Sequence, residues 1–127
     1  MSIYADSSFF ASLYLPDKHS AKAQRLAAQH ARVWLTPLHR AEWAHAVAQD
    51  LFQRRISAAE AQTVYTQFQR DRESHFWIEV ALPEMTFERC VQLAQQYASR
   101  VALRTLDTLH VASALDVVCE EVVDIET

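Results

Sequence analysis

The chain has 127 residues, 50% of them hydrophobic and 22% charged, with a formal net charge of -4. That length suits one domain spanning 1–127, with enough apolar side chains to fill a core without disulfide or metal staples. The acidic balance gives no long-range attraction for nucleic acid, so RNA contact would need local basic patches or bound cations. No apolar run approaches the roughly 18 residues of a membrane span, and the start Met-Ser-Ile-Tyr-Ala-Asp lacks a basic secretory n-region, so a cytoplasmic protein is expected. Glycine and asparagine are both missing. A P-loop, a Rossmann fingerprint and a nucleophile elbow all need glycine and are excluded in their usual form. Positive-φ turns should be rare, and helices should end by other means than glycine caps.

In chain order, Ser2 to Asp6 reads as a short strand running into an acid. Ser7 to Leu15 is aromatic and aliphatic, a short buried helix closed by Pro16. His19 to Ala31 predicts a surface helix with Ala23, Leu26 and Ala27 on its buried stripe. Val33 to Leu35 is a second strand. Thr36 then Pro37 starts a helix, as N-cap and first helical residue, that runs to about Arg55. Ser57 and Glu60 form a capping box for a helix to about Arg72. Phe76 to Leu82 alternates and predicts a third strand. Helices over Phe87 to Ala102 and from Leu106 or Asp107 to Val118 follow, then a last strand at Val122 and Val123. Strands separated by helices indicate an α/β domain with a short, mostly parallel sheet flanked by helices.

In such sheets ligands gather beyond the carboxyl ends of the strands. Asp6 follows the first strand directly, Glu42 lies two turns into the helix after the second, and Asp107 opens a late helix. Converging carboxylates repel, and a hard cation such as Mg²⁺ or Mn²⁺ relieves that repulsion. Carboxylates without a glycine loop suit phosphodiester hydrolysis better than nucleotide binding. Spacing alone does not single out this triple among sixteen acids; any one could be a solvated side chain or a helix-terminal acid.

Three segments carry a resemblance. Ile3-Tyr4-Ala5-Asp6-Ser7-Ser8 looks like the opening strand end of PIN domains. Leu38 to Val47, centred on Ala41-Glu42, resembles their second acidic motif. Leu103 to Ala114, with Leu106-Asp107-Thr108-Leu109-His110-Val111-Ala112, closely resembles the third. Order and spacing match along nearly the whole chain, and among PIN domains it looks most like the toxins of bacterial VapBC toxin–antitoxin pairs. The resemblance implies a Mg²⁺- or Mn²⁺-dependent endoribonuclease acting on a tRNA or rRNA, usually a homodimer, neutralised by a cognate antitoxin. By motif match Asp6, Glu42 and Asp107 would be catalytic and metal-binding, with Ser8 a supporting hydroxyl.

The C-terminus departs from that pattern. The family usually carries a fourth acid in a Thr-x-Asp context, followed by a further helix and strand; here the sequence reads Val122-Val123-Asp124-Ile125-Glu126-Thr127. Asp124 or Glu126 could supply the fourth acid. The alternative is an atypical or truncated tail on a PIN-like protein that binds or regulates without catalysis.

Other residues admit two readings. Arg54, Arg55, Arg70 and Arg72 are either solvated helix ends or a phosphate-contacting rim for RNA. His39, His45 and His110 lack zinc-ligand spacing and read as structural. Phe9, Phe10, Leu13 and Tyr14 read as core or dimer packing more readily than as base-stacking groups. Cys90 and Cys119 lie far apart and read as reduced thiols.

Overall fold

The computed structural model describes residues 2–29 and 32–117 and the backbone of 121–123. Its elements are β1 (Ser2–Ala5), α1 (Ser7–Tyr14), α2 (Ser20–Gln29), β2 (Arg32–Leu35), α3 (Pro37–Phe52), α4 (Ala58–Glu73), β3 (Ile78–Glu79), α5 (Glu84–Tyr97), α6 (Thr105–Asp116) and β4 (Glu121–Val123). The strands form one sheet in the order β3-β2-β1-β4, and every pairing is parallel. β1 is therefore central. Its residues Ile3, Tyr4 and Ala5 are all buried, as a parallel strand covered on both faces requires.

The core lies between this sheet and α1, α3 and α4. Phe9 and Phe10 of α1 are fully buried and meet each other and Trp77 edge to face. Trp43 of α3 stacks on Phe68 of α4 with centroids 4.0 Å apart. The aromatic cluster of α1 thus serves the core. On the other side of β1, α5 packs against α6, where Thr86 Oγ1 donates to Asp116 at 2.7 Å and Arg89 pairs with the same carboxylate.

Both predicted helix starts form. Ser57 Oγ accepts from Glu60 N and the Glu60 carboxylate accepts from Ser57 N. At α3 the Thr36 hydroxyl accepts from His39 N, and His39 Nδ1 accepts from Thr36 N at 3.0 Å. A histidine here does the work that Glu or Gln does in the usual box, and such a cap contributes about 1 kcal/mol.

Two helix ends differ from expectation. The backbone at Arg54 has φ 60° and at His75 φ 56°. Each follows its helix in a six-residue closure. Arg55 N donates to Asp50 O and Arg54 N to Leu51 O; Phe76 N donates to Asp71 O and His75 N to Arg72 O. These are Schellman motifs with arginine and histidine at the left-handed position that glycine normally fills. The lack of glycine did not remove the motif; it moved the motif onto side chains that bear a steric cost of about 1–2 kcal/mol each.

The third strand is shorter than the alternation of Phe76 to Leu82 implied. Only Ile78 and Glu79 pair, opposite Trp34 and Leu35, although Val80 N still donates to Leu35 O. Trp77 is buried for packing and Phe76 is exposed beyond the helix closure, so alternation here reflects a chain crossing the core rather than a long edge strand. Helix α5 begins three residues earlier than predicted, at Glu84, because Pro83 holds an extended N-cap and Glu84 suits a first turn. It also ends at Tyr97, with Arg100 N and Val101 N both turning back to Tyr97 O. Among the described residues no helix is long and apolar enough to cross a membrane.

Candidate active site

Because all strands run the same way, their carboxyl ends share one edge, and the sheet order reverses beside β1. That reversal is where open α/β sheets form a crevice. Asp6 is the first residue past β1 and the N-cap of α1, and its side chain makes no capping hydrogen bond. Glu42 reaches the same place from the second turn of α3, which packs on α1. Helix α6 leads into β4 and so begins at this edge, bringing Asp107 in its first turn and His110 one turn later.

The tightest contacts converge on one oxygen. Ser7 Oγ donates to Glu42 Oε1 at 2.7 Å, and His110 Nε2 lies 2.5 Å from the same atom. Ser7 Oγ and His110 Nε2 are 3.2 Å apart. The other ring nitrogen of His110, Nδ1, is 2.7 Å from the Tyr4 hydroxyl. Burial pushes the Tyr4 phenol up to about 12, with the negative charges of Glu42 and Asp6 adding to the rise against hydroxyl hydrogen bonds from Ser113 and Thr36. Tyr4 is therefore a protonated donor at neutral pH. It gives its hydrogen to His110 Nδ1, which fixes the tautomer that donates Nε2–H to Glu42.

Behind this layer sits His39, fully buried. Burial pushes its pKa down to about 3, partly offset by the backbone bond to Ala5. The neutral ring accepts from Thr36 N at Nδ1, so Nε2–H donates to Ala5 O at 2.6 Å. It thereby ties the start of α3 to the residue preceding Asp6. Its ring centroid is 4.9 Å from those of both Tyr4 and His110.

Asp6 and Glu42 thus share a corner, linked through Ser7 and acting together on Tyr4. Asp107 stands at the same edge, but its side chain is 66% exposed and its Oδ2 accepts from Arg104 Nε at 3.0 Å. An exposed pair of this kind is worth about 0–1 kcal/mol. Ser8 is half-buried in the first turn of α1, while the hydroxyl that reaches Glu42 belongs to Ser7. β4 ends at Val123, opposite Ala5, and the candidate fourth acids Asp124 and Glu126 lie outside the described residues, as does Cys119.

The basic residues separate into two groups. Arg54 and Arg55 follow α3, which ends ten residues and about 15 Å of helix rise beyond Glu42; Arg55 pairs with Asp50 at 2.9 Å. Helix α4 folds back along α3, as the Trp43–Phe68 stack shows. Its last turn carries Arg70 and Arg72. Arg72 pairs with Glu79 at 3.0 Å and thus lies beside the carboxyl end of β2.

A depression of about 600 Å³ is lined by Ala11, Leu15, Pro16, Asp50, Arg55 and Ile56, and none of Asp6, Glu42 and Asp107 borders it.

The donor set there suits a hard divalent cation, since Asp6 and Glu42 offer oxygen ligands with one oxygen of Glu42 already held. Among the described residues no group of three or more His, Cys, Asp or Glu side chains is disposed to hold a metal ion.

The parallel sheet, the central strand ending in Asp6, and α3 and α6 meeting over it define a VapC-like PIN fold. The solved structure of Mycobacterium tuberculosis VapC20, a sarcin-ricin loop cleaving toxin, superposes with a TM-score of 0.63 at 19% identity, covering 87% of this chain and 79% of that one. No family model matches the sequence, and no curated protein matches it.

Proposed function

We propose that this chain is a Mg²⁺- or Mn²⁺-dependent endoribonuclease and the toxin of a toxin–antitoxin pair. The observation that carries this reading is the acid corner at the sheet reversal, where Ser7 and His110 fix Glu42 beside Asp6. Asp6 and Glu42 hold the cation, and Asp107 joins them when it leaves Arg104. The cation, when bound, supplies Lewis-acid stabilisation of charge on the scissile phosphate. Arg104, released from Asp107, and Arg72 beside the carboxyl end of β2, with Arg70 of the same helix turn, contact neighbouring phosphates, which an acidic protein must do locally.

The substrate is a structured RNA such as a tRNA or rRNA, and the partners are a cognate antitoxin and a second copy of the chain. Exposed apolar side chains on α5, on α6 and between them, among them Phe87, Val91, Leu103, Leu106, Val111 and Leu115, support such assembly. Cleavage of RNA with Mg²⁺, with Mn²⁺ and with EDTA, in wild type and in Asp6→Asn and Asp107→Asn, tests the activity. Loss in EDTA and in both variants is expected; unchanged cleavage in both variants would sink it.

A second reading has its own observation. The Arg104–Asp107 pair occupies the third carboxylate, which suits a PIN-like protein that binds without cleaving. Absence of Mn²⁺ binding by calorimetry would favour it.

A further inference from the structure

We propose that His110, oriented by Tyr4 and assisted by Ser7, is a positioning residue that presents Glu42 to the divalent cation. This rests on the ribonuclease reading above and names a part of the site that the three acids leave unexplained.

A glutamate two turns into a helix has a long, freely rotating side chain. Ordering it costs rotamer entropy, which is otherwise lost at the moment of metal binding. Here two donors from different elements fall on one oxygen. Ser7 comes from the first turn of α1 and His110 from the second turn of α6. Both bonds are to Oε1, so Oε2 is the oxygen assigned to the cation.

The donors are themselves held. His110 is only 12% exposed, sits against His39 with centroids 4.9 Å apart, and has its Nδ1 engaged by Tyr4. Tyr4 lies fully inside β1, the strand that also delivers Asp6. A chain of contacts thus runs from the central strand through α6 to the carboxylate on α3. β1 thus delivers Asp6 and, through Tyr4 and His110, helps to place Glu42. Fixing a ligand in this way raises metal affinity by prior organisation, and removing such a partner typically costs about 10–100-fold.

The test is calorimetric titration of Mn²⁺ into the full chain, with circular dichroism to verify folding. His110→Leu keeps the packing volume but removes the donor, and it should weaken Mn²⁺ about 10–100-fold. His110→Gln retains an N–H donor and should recover most of that loss, which a purely packing role would not produce. Ser7→Ala should weaken binding by a smaller factor. In cleavage assays kcat should fall in His110→Leu while KM for RNA stays put.

A folded His110→Leu that binds Mn²⁺ as tightly as wild type overturns the proposal and leaves the ribonuclease reading standing. Wild type that binds no Mn²⁺ overturns both. If His110→Leu does not fold, Ser7→Ala and Tyr4→Phe decide, and unchanged Mn²⁺ affinity in both overturns the proposal.

Discussion

The hydroxyl of Tyr4 and Nδ1 of His110 lie 2.7 Å apart, although 106 residues separate them in sequence. This bond joins the central strand to the last described helix and sets which nitrogen of His110 faces Glu42. Tyr4→Phe keeps the ring and deletes the bond. It leaves a buried acceptor unpaired and should cost about 1–3 kcal/mol in urea unfolding. A variant as stable as wild type would mean that the bond contributes no net stability.

His39 gives the fold an acid-sensitive element. Its folded pKa, about 3, lies below the ordinary value of 6.5. Between those values the unfolded chain binds a proton that the folded chain does not, so stability is present above about pH 6.5 and falls as pH drops towards 3. Going from pH 7 to pH 5 should remove about 2 kcal/mol through this residue alone. His39→Gln, compared with wild type by denaturant unfolding at both pH values, should show a correspondingly smaller loss. Equal losses in the two proteins would assign the acid sensitivity elsewhere.

Arg54 and His75 occupy left-handed positions that a Cβ disfavours. Arg54→Gly and His75→Gly remove that steric cost while adding freedom to the unfolded chain. Each should gain a net of about 0.5–1 kcal/mol, or about 2–4 °C in Tm. Destabilisation on either substitution would show that the side chain itself holds the turn.

Arg104→Gln breaks the exposed pair with Asp107. Stability should change by no more than about 1 kcal/mol, while Mn²⁺ affinity should rise as the third carboxylate is released. Calorimetry on the folded variant reads this directly. Weaker Mn²⁺ binding would indicate that Arg104 supports the site rather than blocking it.

Much of this arrangement was legible in the sequence, and the limits have physical causes. The parallel α/β class, Asp6 at a strand end, and both helix starts at Thr36 and Ser57 follow from local patterns of a few residues. The contacts of His110 with Glu42 and Tyr4 span 68 and 106 residues and depend on the sheet order, which no local pattern encodes. The motif resemblance points to Ser8, whereas the contact of Ser7 with Glu42 depends on the placement of α3, since adjacent positions on a helix point about 100° apart. The short β3 is not legible because a buried Trp77 beside an exposed Phe76 imitates strand alternation. The engagement of Asp107 by Arg104 was readable in principle from their three-residue spacing across a helix start.

The central claim is that Glu42, held by Ser7 and His110 beside Asp6, helps bind a cation that drives RNA cleavage. Single-turnover cleavage of a structured RNA by Glu42→Gln, at saturating Mg²⁺, tests it most directly, because the substitution keeps shape and removes charge. A fall in rate of at least about 100-fold with the fold intact is expected, equivalent to roughly 2.7 kcal/mol of lost transition-state stabilisation. Cleavage at the wild-type rate would contradict it.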